Sequence, residues 1–271
     1  MIICAEGEYG PFLGAEADRV VHGYYRKHGV WAPELLELLT ERIFPEGKGT
    51  FLDLGANIGL ISLPLAVRRG VRCYAFEPDP LNYELLCRNA AAHGVSELVE
   101  PFNLALYSEK TELSFELSQD NYGDHRVRAQ EPDPRHTQQF DESERKLIRV
   151  SAERLDDVLS PDALERPLVM KVDTQGCEVK VFAGAEHWLA SVDYLISEYW
   201  PYGMHRMGDS QEAFIDFARR FAFGAQLSGN CPPARLEPVE PLMARVRSIF
   251  PDASIQLYVD LLLSQHPDLP G

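Results

Sequence analysis

The sequence predicts a doubly wound α/β fold with a mostly parallel sheet, and three observations support this prediction. Short apolar strands alternate with amphipathic helices in steps of about 20–25 residues between residues 50 and 102. The same alternation resumes between residues 168 and 221. A glycine-containing turn at residues 55–59 joins the first strand of the series to its helix. Together these features are typical of right-handed crossovers in a parallel sheet.

The first fifty residues are predicted to be helical, and residues 1–48 are interpreted as an N-terminal helical extension. Between residues 31 and 44 the apolar side chains lie on one side of a helix. Pro33 suits the first turn of that helix, and the P-E-G segment at residues 45–47 ends it. The α/β domain is then expected to occupy residues 49–271.

The elements of this domain are assigned in chain order from the periodicity of apolar residues. A lid-like insertion is predicted at residues 118–146, because this polar segment is too long for an ordinary connection. Strands are predicted at residues 51–54, 71–76, 98–102, 111–117, 147–150, 168–172, 192–197 and 255–263. Helices are predicted at residues 60–67, 81–93, 152–159, 177–189 and 211–221.

Composition narrows the range of partners. The chain has 271 residues and a net charge of −16, so a polyanionic nucleic acid is not an expected partner. No apolar run approaches the ~20 residues of a membrane span, and no membrane partner is expected. Five scattered cysteines favour reduced thiols in the cytoplasm, and no cluster has metal-ligand spacing. The sequence leaves the oligomeric state open, and a homo-oligomer is compatible with it.

The strongest local signal is the D-L-G-A-N-I-G segment at residues 53–59, between a predicted strand and helix. Its glycines let the backbone approach a ligand, and the helix that follows offers N–H groups to a carboxylate or phosphate. Asn57 occupies the middle glycine position of a dinucleotide loop, which favours a small amino-acid carboxylate over a pyrophosphate. Glu77 ends the second strand, where an acid accepts the hydroxyls of a ribose.

These residues resemble class I S-adenosylmethionine-dependent methyltransferases, and further segments are similar to the FkbM family. Residues 53–59 resemble its D-x-G-A-N-x-G loop, residues 76–78 its F-E-P, and residues 103–106 its N-x-A-L near the adenine. Residues 155–157 resemble its L-D-D, and residues 171–178 its K-I-D-V-E-G-A-E. Two positions depart from the pattern, with Gln175 in place of glutamate and Cys177 in place of alanine.

The resemblance implies a Rossmann-like class I methyltransferase sheet that uses S-adenosyl-L-methionine as its cofactor. It also implies O-methylation of a hydroxyl on a small molecule, a natural product or a glycan. Substrate choice is expected to lie in the 118–146 insertion and in the region after Glu198. The cofactor-binding residues implied by the resemblance and by the strand-end positions are Asp53, Gly55, Ala56, Asn57, Gly59, Glu77, Pro78, Asn103, Ala105 and Asp173.

Five residues are candidates for a role in catalysis. Asp173 is expected near the sulfonium or as the base, and its alternative is a helix N-cap. Lys171 either steadies a developing alkoxide or pairs with an acid such as Glu198. Glu178 is expected to orient its neighbours, whereas His125 and His205 are candidate general bases.

Two other functions remain open from the sequence. An NAD-dependent oxidoreductase has a similar sheet, but Asn57 and the missing third glycine speak against it. A module that binds S-adenosylmethionine without transferring a methyl group stays open because of the departures at Gln175 and Cys177.

Overall fold

The computed structural model describes residues 1–128, 145–227, 235–250 and 257–269. Its strands are β1 (Ile2–Gly7), β2 (Gly10–Ala15), β3 (Thr50–Leu54), β4 (Arg72–Phe76), β5 (Val99–Phe102), β6 (Ala105–Leu106), β7 (Thr111–Leu117), β8 (Arg126–Val127), β9 (Lys146–Glu153), β10 (Leu168–Val172), β11 (Tyr194–Tyr199), β12 (Phe223–Leu227), β13 (Glu237–Pro238) and β14 (Val259–Ser264). Its helices are α1 (Val21–His28), α2 (Pro33–Glu37), α3 (Ser62–Arg69), α4 (Pro80–Ala92), α5 (Leu155–Val158), α6 (Glu178–Ala183), α7 (Glu186–Ser191), α8 (Pro201–Arg206), α9 (Gln211–Ala218) and α10 (Val239–Ile249).

The central sheet of the described residues has the strand order β13-β12-β14-β11-β10-β3-β4-β5. Strands β5, β4, β3, β10 and β11 run parallel, whereas β14 runs antiparallel to both β11 and β12. The predicted doubly wound, mostly parallel fold is therefore confirmed, and the sheet is mixed at one side. The chain moves outward from β3 to β5 and later returns to β10 on the other side of β3. This reversal creates the crevice in which doubly wound sheets bind ligands, at the carboxyl ends of β3 and β10.

Both faces of the sheet are covered, which explains why its central strands are nearly continuous apolar runs. All five residues of β3 and all five of β10 are buried. Phe51 and Val169 point into a core shared with α2, α3 and α4. Leu52 and Met170 point into a second core, on the side of α6, α7, α9 and α10. The strand register thus fixes which residues reach the carboxyl edge of the sheet.

The N-terminal segment is only partly helical, so the prediction for the first fifty residues is wrong at its start. β1 and β2 form an antiparallel hairpin that pairs Ile2 with Ala15. The side chain of Asn89 in α4 holds the hairpin, because it accepts from the Leu13 N–H at 2.8 Å and donates to the Leu13 carbonyl at 3.1 Å. Sequence periodicity does not reveal this pairing, because a side chain from a distant helix satisfies the edge of β2. Helix α2 follows as predicted and continues as a π-helix over Leu38–Ile43.

Two further differences concern the second half of the chain. The helix predicted at residues 177–189 is interrupted between α6 and α7, where Gly184 lies against the backbone of Tyr107 and leaves no room for a Cβ. The sequence did not predict β12, α8 or α10. The last predicted strand, residues 255–263, is described from residue 257 onward and appears as β14.

A smaller sheet with the order β6-β9-β7-β8 lies beside the main one. The predicted strands around residues 111–117 and 147–150 pair antiparallel within it, with Leu113 opposite Val150. Of the predicted insertion at residues 118–146, the part at residues 129–144 lies outside the described residues. The described part contains a 3-10 turn (Tyr122–Asp124) and β8. Among the described residues, every helix is too short or too polar to cross a bilayer.

Candidate functional site

A cavity of about 710 Å³ lies at the carboxyl ends of β3, β4, β10 and β11. Its volume is within the ~300–1,000 Å³ range of small-molecule sites. Gly55, Glu77, Asp173 and Glu198, which end these four strands, all line it. The topological switch point therefore coincides with the side chains that the sequence singled out.

The glycine loop is shaped by its neighbouring strand. Gly55 has φ +87, and a Cβ on it would collide with the carbonyl oxygen of Asp173. The N–H groups of Gly55 and Ala56 both donate to the carbonyl of Phe76 at 3.0 Å. The missing Cβ thus permits close packing of β3 against the end of β10, whereas this glycine was predicted to let a ligand approach the backbone.

The N–H groups of the loop already have acceptors within the protein. Asn57 N–H donates to Oε2 of Glu77 at 2.8 Å, and Ile58 N–H to Oδ1 of Asn57 at 2.9 Å. Gly59 N–H donates to the carbonyl of Ala56 at 2.9 Å. These N–H groups of the loop are therefore used within the protein, and the prediction of N–H groups for a carboxylate concerns the start of the helix that follows.

Glu77 lies at the floor of the cavity and is only 4% exposed. Its Oε2 accepts from Asn57 as above, and its Oε1 accepts from the Asp79 N–H at 2.9 Å. Burial raises the pKa of Glu77 to about 8, although these two N–H donors favour the ionised form. Each oxygen accepts only one N–H hydrogen bond, so the carboxyl group retains capacity for a ligand hydroxyl. Pro78 lines the cavity beside it.

Lys171 is buried between two acids. Its Nζ lies 3.2 Å from Oδ1 of Asp53 and 3.5 Å from Oδ2 of Asp173. Asp53 also accepts a short hydrogen bond from the Ser62 hydroxyl. Burial disfavours the charge on Lys171, but the two carboxylates outweigh it and raise its pKa above the ordinary value. Lys171 therefore forms an ion pair, as one alternative proposed, but with Asp53 and Asp173 instead of Glu198.

The side chain of Asp173 lines the cavity and is 42% exposed. Its Oδ1 accepts from Nε2 of Gln175 at 2.8 Å, and the same nitrogen lies 3.4 Å from Oε2 of Glu198. Gln175 has φ 56, which turns its amide back between the two acids. The N-cap alternative for Asp173 is wrong, because α6 begins at Glu178 and no side chain caps it.

Glu178 supports this loop from below and is fully buried. Its Oε1 accepts from the N–H and hydroxyl of Thr174 at 2.9 and 3.1 Å, and from the Gly176 N–H at 3.3 Å. Burial raises the pKa of Glu178 to about 7. It is absent from the cavity wall formed by the described residues. Its position agrees with the expected role of orienting its neighbours.

Sequence reasoning missed Asp260 as a functional candidate. It lies opposite Glu198 in the antiparallel pairing of β11 and β14, and both side chains line the cavity. Burial and then the nearby carboxylates raise the pKa of Glu198 well above its usual range, whereas Lys171 opposes this. Desolvation by the surrounding protein, and then the negative charge of Asp173, raise the pKa of Asp260 to about 6. The Asp260 residue itself is exposed to solvent. The Y-V-D-L-L segment at residues 258–262 was the available signal.

The two candidate histidines lie in different places. His125 lines the cavity, and its Nδ1 accepts from the Ser118 N–H at 3.0 Å. Burial and then the Arg145 guanidinium lower the pKa of His125 to about 4, so the ring is neutral at pH 7. His205 is exposed on α8 and does not belong to the described cavity wall. The structure therefore brings only His125 to the site.

The predicted adenine segment is divided between two positions. Ala105 lines the cavity together with Leu104 and Leu106. Asn103 is exposed, and its Nδ2 donates to the carbonyls of Glu77 and Pro78 at 2.9 and 3.0 Å. Asn103 therefore fixes the turn after β4 from outside the described cavity wall.

The N-terminal helices and the insertion close the other side of the cavity. Tyr24 of α1 and Trp31 line it, and their rings meet edge-to-face at 5.8 Å between centroids. Nδ2 of Asn57 donates to the carbonyl of Tyr122 at 3.0 Å, which ties the loop after β3 to the insertion. No three His, Cys, Asp or Glu side chains within the described ranges are arranged to hold a metal.

The fold and this cavity define a doubly wound α/β protein with a small-molecule-sized cavity at its switch point. Residues 53–221 match the methyltransferase FkbM domain, and the chain belongs to the FkbM methyltransferase family. The resemblance to this family seen in the sequence motifs is confirmed. Family membership supports a methyltransferase function and gives no support to the oxidoreductase alternative.

Two relatives illustrate the similarity. Methyltransferase sdnD of Sordaria araneosa is 30% identical over 174 residues, which cover 56% of this chain and 67% of the relative. Hexuronic acid methyltransferase AglP of Haloferax volcanii is 28% identical over 167 residues, and the match covers 61% of each chain. Among solved structures, geranyl diphosphate methyltransferase in complex with GPP and sinefungin is 10% identical, with a TM-score of 0.45. That overlap covers 86% of this chain and 78% of the other.

Proposed function

We propose that the protein is an S-adenosylmethionine-dependent O-methyltransferase that acts on a hydroxyl of a small molecule, natural product or sugar. The observation that carries the proposal is the Glu77 carboxylate, which faces the cavity at the end of β4. It lies next to the loop after β3, where a strand-end acid suits a ribose. When bound, S-adenosylmethionine supplies a methyl group activated by a positively charged sulfur.

The cavity walls fit the parts of this cofactor. Glu77 keeps lone pairs for the ribose hydroxyls, and the apolar Leu104 and Ala105 offer a surface for the adenine. Asp173 supplies a carboxylate that complements the positive charge of the methyl donor. Lys171 and Gln175 hold this carboxylate in place, so it needs little reorganisation when the ligand binds.

The acceptor is proposed to be a neutral or cationic hydroxyl compound. Asp173, Glu198 and Asp260 line the cavity, and the ammonium of Lys171 is already paired with two acids. An anionic acceptor would meet these carboxylates. The name of AglP describes a hexuronic acid as that relative's substrate, and this substrate is not proposed for the present chain. The aromatic rings of Tyr24 and Trp31 provide a flat wall for the acceptor.

The net charge and the free thiols bear on the proposed substrate class and cellular compartment. A net charge of −16 disfavours nucleic acid as the substrate. Four cysteines in the described residues are free thiols, in agreement with a cytoplasmic location.

Calorimetric titration tests the cofactor assignment. S-adenosylmethionine and S-adenosylhomocysteine are titrated separately into wild type, Glu77→Ala and Glu84→Ala. Glu84 is a matched control on α4, paired only on the surface with Arg88. We expect micromolar binding that weakens by roughly 100-fold in Glu77→Ala and stays unchanged in Glu84→Ala. Folded wild-type protein that binds neither ligand refutes the proposal.

Methyl transfer separates an enzyme from a module that only binds the cofactor. Wild-type protein is incubated with S-adenosylmethionine tritiated in its methyl group and a panel of neutral, cationic and carboxylated hydroxyl compounds. Label in a neutral or cationic acceptor supports the proposal. Preference for the carboxylated compounds contradicts the proposed acceptor class, and cofactor binding without any transfer favours the non-catalytic alternative.

A further inference from the structure

We propose that Glu198 and Asp260 act together as a carboxylate pair that accepts the proton lost by the acceptor hydroxyl. This inference rests on the proposed function and adds a proton acceptor to it. Neither residue belongs to the glycine loop or to the ribose position at Glu77. Their role depends on strand pairing at the side of the sheet where β14 runs antiparallel.

The geometry of the two strands brings the carboxylates together. Glu198 in β11 and Asp260 in β14 are directly opposite in an antiparallel register. Side chains in such positions project from the same face, with Cβ atoms about 4.5–5.5 Å apart. Both line the cavity, as does Asp173 at the end of the adjacent β10. A hydroxyl bound there would therefore be within reach of either acid.

The surroundings of the pair make it share a proton. Three acids oppose ionisation of Glu198: Asp173 after β10, Glu178 at the start of α6, and Asp260 in β14. The phenol of Tyr258, which precedes β14, is also near Glu198, and the Glu198 carboxylate helps to raise the pKa of that phenol. Lys171 is the described cation that favours ionisation. Two carboxylates on directly opposed residues do not both ionise easily, so the pair is expected to keep one proton while the second site stays basic.

The raised pKa values agree with this arrangement. Asp260, with a pKa of about 6, is largely ionised at pH 7, whereas burial and the neighbouring carboxylates raise the pKa of Glu198 well above its ordinary value. A base with a pKa just below the working pH is efficient at taking a proton. Gln175 holds one member of the pair, because its Nε2 lies 3.4 Å from Oε2 of Glu198 and 2.8 Å from Oδ1 of Asp173.

The other candidate bases are engaged. His125 uses Nδ1 to accept from the Ser118 N–H, so its neutral ring carries the proton on Nε2. That nitrogen lies 3.8 Å from Oδ2 of Asp79 and has no lone pair to offer. One oxygen of Asp173 accepts a hydrogen bond from Gln175, and the other forms an ion pair with Lys171. The pair at β11 and β14 is therefore the better proton acceptor.

The proposed step conserves atoms and charge. The acceptor oxygen forms a bond to the methyl carbon, and the carbon–sulfur bond breaks with its electron pair moving to sulfur. The hydroxyl proton passes to the ionised carboxylate of the pair. The two carboxyl groups together then hold two protons. Release of one proton to solvent restores the singly protonated pair.

The test is a carboxyl titration of the cofactor-free protein. ¹³C NMR follows side-chain carboxyl carbons in wild type, Asp260→Asn, Glu198→Gln and the control Asp216→Asn. Asp216 is exposed on α9 and forms a surface ion pair with Arg219. We expect the wild-type pair to titrate in two separated steps, one near pH 6 for Asp260 and one for Glu198 that is raised well above its ordinary carboxyl value. Each pair variant should collapse them into one shifted step, and Asp216→Asn should leave both unchanged.

Independent titration of Glu198 and Asp260 at ordinary carboxyl values in wild type would overturn the proposal. The affinity for S-adenosylhomocysteine separates this failure from failure of the proposed function. It should stay within about twofold of wild type in both pair variants, because the ribose acid is Glu77. Loss of affinity in either folded variant would assign the pair to the cofactor site and overturn its role as proton acceptor.

Discussion

The replacement Gly55→Ala tests whether the cofactor loop is set by close packing between two strand ends. Gly55 has φ +87, and an added Cβ would collide with the carbonyl oxygen of Asp173. Gly70 provides a matched control, because it has φ +71 and an added Cβ there meets nothing within 4 Å. Both replacements strain the backbone in the same way, and only one causes a collision.

The magnitudes follow from these two environments. An alanine in the left-handed region costs about 1–2 kcal/mol at either site. At Gly55 the Asp173 carbonyl must also retreat by about 1 Å, and such overpacking costs roughly 1–3 kcal/mol. The retreat strains the hydrogen bond from Asp173 N–H to the Leu54 carbonyl, now 3.0 Å, for about 1 kcal/mol more. We expect losses of about 3–6 kcal/mol for Gly55→Ala and about 1–2 kcal/mol for Gly70→Ala.

Urea unfolding followed by circular dichroism measures the free energy of unfolding of wild type and both variants. Calorimetry with S-adenosylhomocysteine then shows whether the site survives in the folded fraction. Gly55→Ala should lose affinity because Asp173 moves, whereas Gly70→Ala should keep it. Equal stability losses, within about 0.5 kcal/mol, would show that the strand ends separate at no cost and would refute the reasoning.

Three further predictions concern the buried charges. Since the pKa of Glu77 is about 8 in the folded state and 4.5 ordinarily, the folded state holds an extra proton on Glu77 between these values. Glu77 should therefore contribute a fall in stability of about 1.4 kcal/mol per pH unit from pH 6.5 to about 8, and Glu77→Gln should remove that contribution while those of Glu178 and Glu198 remain, as urea unfolding at several pH values will measure. Lys171→Met should cost about 3–5 kcal/mol by leaving Asp53 unpaired, and adding Asp53→Asn should recover part of it in the same assay. Gln175→Glu should destabilise the protein by roughly 1–2 kcal/mol at pH 8 and less at pH 5, measured by thermal unfolding, because it adds a carboxylate between two others.

Each of these predictions has an outcome that contradicts it. The pH window avoids His125, whose pKa of about 4 changes stability only between that value and its ordinary 6.5. An unchanged slope in Glu77→Gln would mean that Glu77 is ionised in the folded protein. If the double variant at Lys171 and Asp53 is less stable than Lys171→Met, the two charges do not form a pair. Equal destabilisation of Gln175→Glu at both pH values would point to its backbone instead of its charge.

Much of the fold could be predicted because its signals are local. The strands at Thr50–Leu54 and Leu168–Val172 are apolar runs bounded by turns, and the structure places them as expected. Glu77 was found because a strand-end acid about twenty residues after a glycine loop is a pattern within one stretch of chain. The hairpin of β1 and β2 was missed because Asn89, far along the chain, satisfies its edge.

The sequence by itself determined the class of sheet, the position of the loop after β3 and the family. Only the tertiary structure decided that Lys171 pairs with Asp53, and that His125 enters the cavity whereas His205 does not. It also set Asp260 opposite Glu198. Local patterns depend on neighbours along one strand or helix, which a sequence displays directly. Charge partners, burial and shifted pKa values depend on strand register and on side chains that come together only when the chain has folded.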